Sequence, residues 1–370
     1  MNPIIQSSEP ESKLPNHQTF QSSSANQAAQ TTHPLLKDAK ILKSDYEFMR
    51  AIIHVWTEFV NLAVIYNFAC YISPAARDYK REMDEISKLS NQVKSQIRTE
   101  VYGGETQEDF QELEKTFEGW RQTKMSHPDG NPFDRETKVE FFDESNSLKA
   151  ARFYKDQGNV CITNFPNAVR VGGADRSLGK GSQEESLFRA TALRVSLEEI
   201  ATRVDQTVRE LTGRYIPYYG VVISENIPTF DHAREKGADL NAKETFGYSS
   251  VAAPDLRKNS YRSEGDYFAN ESPELIREVL YRKLAVNIMA AAMHDYDILV
   301  VGAFGCGAFD NDPKMVAEVL EQLLKEPRFQ GIFSHVVLPI GTEDKSVNRN
   351  ADKNRAPFEA VFKSNPTTTV

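Results

Sequence analysis

The residues of this chain best suited to chemistry lie in two glycine-bearing stretches. The first reads Gly172-Gly173-Ala174, then eight residues, then Gln183-Glu184-Glu185. Glycines let a backbone approach a phosphate closely, and paired carboxylates beside it can do acid–base work. The second stretch reads Gly302-Ala303-Phe304-Gly305-Cys306-Gly307-Ala308-Phe309 and runs on to Asp312-Pro313. The buried-type run Ile298-Leu299-Val300-Val301 enters it, Asp312 is a favoured N-cap, and Pro313 suits a first helical turn. Small residues ahead of a helix N-terminus allow N–H groups and the helix dipole to meet an anion. The three glycines and flanking aromatics of 302–309 favour an anion site over a bare strand-to-helix turn.

Plainer readings compete with these. Ser182 and Glu185 have the spacing of a capping box, which requires no catalysis. Against it, Asn164, Asn167, Gly172 and Gly173 crowd the preceding strand exit, all of them small or hydrogen-bonding. Gly179-Lys180-Gly181-Ser182 resembles a fragment of an NTPase phosphate loop. It fails at two positions: Ala174 stands where the first glycine is required, and Gly181 where a hydroxyl should hold magnesium. The spacing G-x-x-G-x-G is not the dinucleotide fingerprint G-x-G-x-x-G, which argues against an NAD-dependent oxidoreductase.

The elements that must position these residues follow from periodicity. Residues 1–35 are rich in Ser, Gln, Asn, Thr and Pro and are expected to be a disordered tail. Residues 36–127 read as a helical N-terminal region. Met49, Ile52, Ile53, Trp56, Phe59 and Val60 line one face, a second charged pattern spans 76–101, and a third helix is expected over 106–124. His54, Glu58, Asn61 and Asn67 inside the apolar run 51–72 favour a buried amphipathic helix over a membrane span. Turn chemistry at 127–134 marks a boundary, and a domain is expected over 128–365. There strands at 139–142, 160–163, 219–224, 249–253, 297–301 and 335–340 alternate with helices at 147–156, 183–212, 273–294 and 315–325. Such alternation predicts an α/β layered domain with a parallel or mixed sheet, ligands collecting at the carboxyl ends of strands.

Composition narrows the partners. A formal net charge of −9 over 370 residues argues against a broad nucleic-acid surface, and no membrane binding is expected. Three scattered cysteines form neither a disulfide framework nor a zinc pair, which suits a soluble protein of a reducing, cytoplasmic compartment. No apolar N-terminal stretch flanked by basic residues predicts a Sec-type signal peptide.

Together the motifs resemble those of the microbial type of poly(ADP-ribose) glycohydrolase, a macrodomain family. The resemblance rests on Asn164-Phe165-Pro166-Asn167-Ala168, Gly172-Gly173-Ala174 and Gln183-Glu184-Glu185-Ser186-Leu187, followed in family order by 302–313. It covers about three-fifths of the chain and implies a three-layer α/β/α macrodomain with a mixed central sheet, plus an N-terminal helical extension. By the same resemblance, Asn164, Asn167, Gly172, Gly173, Ala174, Asp175, Gln183, Gly305, Cys306, Gly307, Ala308 and Phe309 bind ADP-ribose. Gly172 and Gly173 lie along the diphosphate and distal ribose, and Phe309 packs on that ribose. Glu185 corresponds to the catalytic acid and Glu184 to the residue positioning the ribose hydroxyls. Neither metal nor cofactor is implied. Burial and a neighbouring carboxylate are two ways to keep such a glutamate protonated for glycoside cleavage.

The sequence departs from the family pattern at Ala174, Asp175 and Asp310, and at Ser224-Glu225-Asn226 and Pro254-Asp255. These departures favour removal of a single ADP-ribose from a protein side chain over polymer hydrolysis. Arginine-linked and ubiquitin-attached ADP-ribose are candidate substrates, since divergent relatives include secreted bacterial effectors acting on modified host proteins. The alternatives are a reader that binds ADP-ribose without cleaving it, and an interaction protein with an inactive macrodomain.

Overall fold

The computed structural model describes residues 94–172, 182–203, 214–230, 244–257, 268, 270–341 and 351–363. All of them fall within the compact unit Tyr66–Val370. The tail expected over 1–35 and the helices expected over 36–72 lie outside these residues, as does most of the charged pattern at 76–101.

The described elements are β1 (Arg98–Gly104), α1 (Gln107–Met125), β2 (Lys138–Phe142), α2 (Ser147–Tyr154), β3 (Val160–Asn164), α3 (Gln183–Ala190), α4 (Leu193–Arg203), β4 (Tyr219–Thr229), β5 (Glu244–Ser250), α5 (Pro273–Met293), β6 (Ile298–Val300), α6 (Pro313–Lys325), β7 (His335–Pro339) and α7 (Ala351–Lys363). The strands form a seven-stranded sheet in the order β1-β4-β5-β3-β6-β7-β2. Pairings among β5, β3, β6, β7 and β2 are parallel, and β1 and β4 add an antiparallel flank. The mixed sheet expected from the sequence is therefore present.

Side-chain alternation along the strands builds two cores. Val160, Ile162, Val222, Ile298, Val300 and Val337 meet Leu148 and Ala151 of α2, Leu187 and Phe188 of α3, and Leu193 and Leu197 of α4. The opposite-facing Cys161, Val221, Ile223, Leu299, Val336 and Leu338 meet Phe110 and Phe117 of α1, Leu284 and Ile288 of α5, Val316 and Leu320 of α6, and Phe358 of α7. Helices thus cover both faces of the sheet, a three-layer α/β/α arrangement.

Several element boundaries depart from the sequence reading. Residues 98–101, expected to end a helix, begin β1, which pairs with β4 from Arg98↔Glu225 to Gly104↔Tyr219. No residue of this edge strand is fully buried, so it lacks the apolar alternation that signals a strand. The helix expected over 183–212 breaks after Ala190. There Thr191 bridges Thr229 and the Ala192 N–H donates to Pro228 O, 3.0 Å. Strand β5 starts earlier than expected and runs through Gly247, where an added Cβ would lie 1.9 Å from Tyr296 Oη. That glycine leaves room within the strand for the half-buried Tyr296 side chain. Helix α7 had no counterpart in the expected elements because Pro357 interrupts its sequence. Helix α1, in contrast, begins as expected, with Thr106 and Asp109 forming a full capping box.

Candidate active site

The parallel strands β3 and β6 are neighbours, so both glycine stretches emerge at the same edge of the sheet. The two exits touch. Phe165, just past β3, packs edge-on against Phe304 of the second loop with ring centroids 5.7 Å apart, and its ring tip sits beside Gly302.

Gln183 ties the first helical turn of α3 to the end of β3. Its Oε1 accepts from the Phe165 N–H at 2.9 Å, while Nε2 donates to Thr163 O at 2.7 Å and Ser147 Oγ at 3.2 Å. The next two residues, Glu184 and Glu185, are only 2% and 6% exposed. The capping-box alternative is overturned, because the Ser182 side chain accepts no cap hydrogen bond. Gln183, rather than Ser182, organises this helix start. Burying two adjacent carboxylates costs several kcal/mol of lost hydration, and the positive end of α3 offsets part of that.

Asn164 closes β3 fully buried, its Nδ2 donating to Ser250 Oγ at the end of β5, 3.0 Å, while its carbonyl accepts from the Val251 N–H. Strand alternation places its side chain on the α3 side of the sheet, with Ile162. Asn167 folds the turn that follows, its Oδ1 accepting from the N–H groups of Val169 and Arg170, both at 2.9 Å. The turn leads to Gly172, whose φ of +78° is left-handed and suits glycine. Gly173, Ala174 and Asp175 lie outside the described residues.

The second loop is held from beneath. Gly305 has a φ of +70°, and a Cβ there would stand 2.6 Å from both Ala253 Cβ and Asn311 Nδ2. Asn311, buried, donates from Nδ2 to Gly305 O at 3.1 Å and to Pro254 O at 2.9 Å. Asp312 caps α6 by accepting from the Lys314 N–H at 3.0 Å, with Pro313 in the first turn, as the sequence predicted. Gly307 and Ala308 are exposed, Phe309 is half-buried, and Cys306 is buried. Burial pushes the Cys306 thiol far up from its ordinary range, and its Sγ donates to Phe304 O, so it serves the loop's shape rather than a reaction. Asn311 and Phe165 were not singled out from the sequence. The Asn beside Asp312-Pro313 was the one available signal for the former.

Residues 73–232 match the family described as microbial-type PARG, catalytic domain. Over that stretch the chain is similar to the microbial-type PARG catalytic domain. That match contains the first stretch with Gln183, Glu184 and Glu185; the second loop lies beyond it. The poly(ADP-ribose) glycohydrolase of Thermomonospora curvata superposes with a TM-score of 0.54 at 27% identity, covering 75% of this chain and 89% of that one. The same enzyme bound to the inhibitor ADP-HPD gives 0.52 at 27% identity, covering 75% and 88%. Poly(ADP-ribose) glycohydrolase from Deinococcus radiodurans in complex with ADP-ribose shares the fold, with a TM-score of 0.53 at 24% identity over 75% of this chain and 98% of that one. No curated protein sequence matches the chain. Among the described residues, no helix is long and apolar enough to cross a membrane.

Proposed function

We propose that this chain is an ADP-ribosyl glycohydrolase that binds ADP-ribose between its two loops and hydrolyses the glycosidic bond at C1″. One observation carries the reading: two buried carboxylates, Glu184 and Glu185, stand on the first turn of a helix that Gln183 ties to the exit of β3. In this reading Glu185 protonates the leaving atom as the C1″ bond breaks through an oxocarbenium-like state. Water then adds to C1″ and returns a proton to Glu185. Glu184 holds the ribose hydroxyls. Gly172 and Gly173 lie along the diphosphate from one side, and 305–308 from the other. Phe309 supports the distal ribose. Gln183 acts as a positioning residue, since both hydrogens of its amide nitrogen and its oxygen are committed to Thr163, Ser147 and Phe165.

The substrate class proposed is ADP-ribosylated protein carrying a single unit, with arginine-linked and ubiquitin-attached forms included, and poly(ADP-ribose) second. The departures at Ala174, Asp175 and Asp310 support that order, because they alter both loops. An effector role outside the producing cell is the setting this proposal suits. The test is release of ADP-ribose from a panel of mono- and poly-modified substrates. Glu185→Gln should abolish release while calorimetry still detects ADP-ribose binding. Wild-type protein that binds ADP-ribose yet releases none across serine-, arginine-, acid- and polymer-linked substrates would instead be a reader.

A further inference from the structure

Segment 253–257 forms the outer support of the second loop, and it contains a charge pair that the site as described does not use. Asp255 is 5% exposed. Its carboxylate accepts from three donors of Arg257: the backbone N–H at 3.1 Å, Nε at 2.8 Å and Nη2 at 2.5 Å. A bidentate carboxylate fixes the plane and direction of a guanidinium, which a monodentate contact does not. That guanidinium lies over the ring of Phe309, with Cζ 5.3 Å from its centroid. The backbone is fixed as well, since the Leu256 N–H donates to Phe309 O at 2.9 Å. Phe309 is therefore gripped at its carbonyl and on one ring face by three consecutive residues.

We propose that Asp255 and Arg257 form a clamp that sets the Phe309 ring, making Arg257 a positioning residue for the distal ribose of ADP-ribose. The inference rests on the ADP-ribose reading above. Its logic is mechanical. Phe309 is half-buried against the core but sits between exposed Gly307, Ala308 and Asp310, so Arg257 is the charged group held against its ring. A cation over one face holds the ring through its quadrupole and leaves the other face for the sugar.

Calorimetry on the full chain with ADP-ribose and with ADP, which lacks the distal ribose, tests the proposal. Arg257→Ala, Arg257→Lys and Asp255→Asn are each expected to weaken ADP-ribose by about 5- to 20-fold and ADP by less than about threefold. Lysine should not rescue, because it has neither the fork nor the planar face. Equal losses for the two ligands, full affinity in the lysine variant, or ADP-ribose affinity within twofold of wild type in Arg257→Ala overturns the clamp. Should Arg257→Ala fail to fold, the near-isosteric Asp255→Asn and Arg257→Lys decide. Absence of wild-type binding removes the ADP-ribose reading and the clamp together, and is told apart because no variant need be measured.

Discussion

Phe165 and Phe304 meet edge to face, 5.7 Å between ring centroids at 72°, and so couple the strand exit before the buried glutamates to the glycine loop after β6. Each ring belongs to a different motif, and the contact makes one site of them. Edge-to-face aromatic pairs contribute about 0.5–1.5 kcal/mol beyond area burial. Phe165→Leu keeps most of the burial and loses the ring geometry. It is expected to weaken ADP-ribose binding several-fold while the thermal midpoint falls only a few degrees. Calorimetry beside a melting curve checks this, and unchanged affinity would mean that the two loops act independently.

Gln183 should matter to catalysis without touching the ligand. Gln183→Ala removes bonds to Thr163, Ser147 and Phe165, and is expected to cost about 1–3 kcal/mol of stability. The turnover number should drop by tenfold or more, because Glu184 and Glu185 ride on the turn that it anchors. Steady-state kinetics at a temperature well below the variant's midpoint separates the two effects.

Gly305→Ala should be among the most damaging small substitutions in the second loop. The added methyl meets Ala253 and Asn311 at 2.6 Å on a backbone with φ +70°, so neither rotation nor a flexible neighbour relieves it. A destabilisation of about 2–4 kcal/mol is expected, together with loss of ADP-ribose binding. Gly307→Ala, with nothing within 4 Å of its Cβ, serves as the tolerated control in the same melting experiment.

Asp310 adopts φ +57°, a left-handed conformation that aspartate tolerates and glycine adopts without strain. Asp310→Gly should change stability by less than about 1 kcal/mol, strain relief being offset by unfolded-state entropy. It also removes a negative charge from the loop assigned to the diphosphate, so ADP-ribose affinity should rise about two- to fivefold at low salt and less at high salt. A salt series by calorimetry reads both; affinity unchanged at every salt would place Asp310 outside the ligand's field, and weaker binding would overturn the repulsion.

The Cys161 and Cys306 thiols should resist modification in the folded protein. Burial pushes Cys161 up to about 12 and Cys306 higher still, so at pH 8 the neutral thiol dominates in the native state and the thiolate becomes accessible on unfolding. Iodoacetamide followed by mass spectrometry should label both positions only with denaturant. Rapid native labelling of Cys306 would show that its loop opens.

Much of the layered fold was legible because it rests on local rules: the β3 and β6 runs, the Asp312-Pro313 helix start and the Thr106–Asp109 helix start all obey them. What stayed hidden depends on distant partners. Gly247 looks like a strand breaker until Tyr296 is seen lying where its side chain would be. Residues 98–101 look like a helix end until Glu225 and its neighbours pair with them. At the site, spacing alone could not separate a capping box from a buried acid pair. The separation comes from Gln183, whose partners lie on two other elements.

The seven-stranded sheet takes its two outer strands from the front of the described chain. β1 waits for β4, and β2 waits for β7, which lies near the far end of the sequence. Closing such long loops carries an entropic penalty before any pairing offsets it, and parallel pairs of this separation form slowly. During synthesis, Phe141 and its strand leave the ribosome long before Leu338 exists to pair with them. The site's two loops therefore cannot be assembled from a half-made chain, and the nascent protein carries open strand edges that invite chaperones for most of its translation.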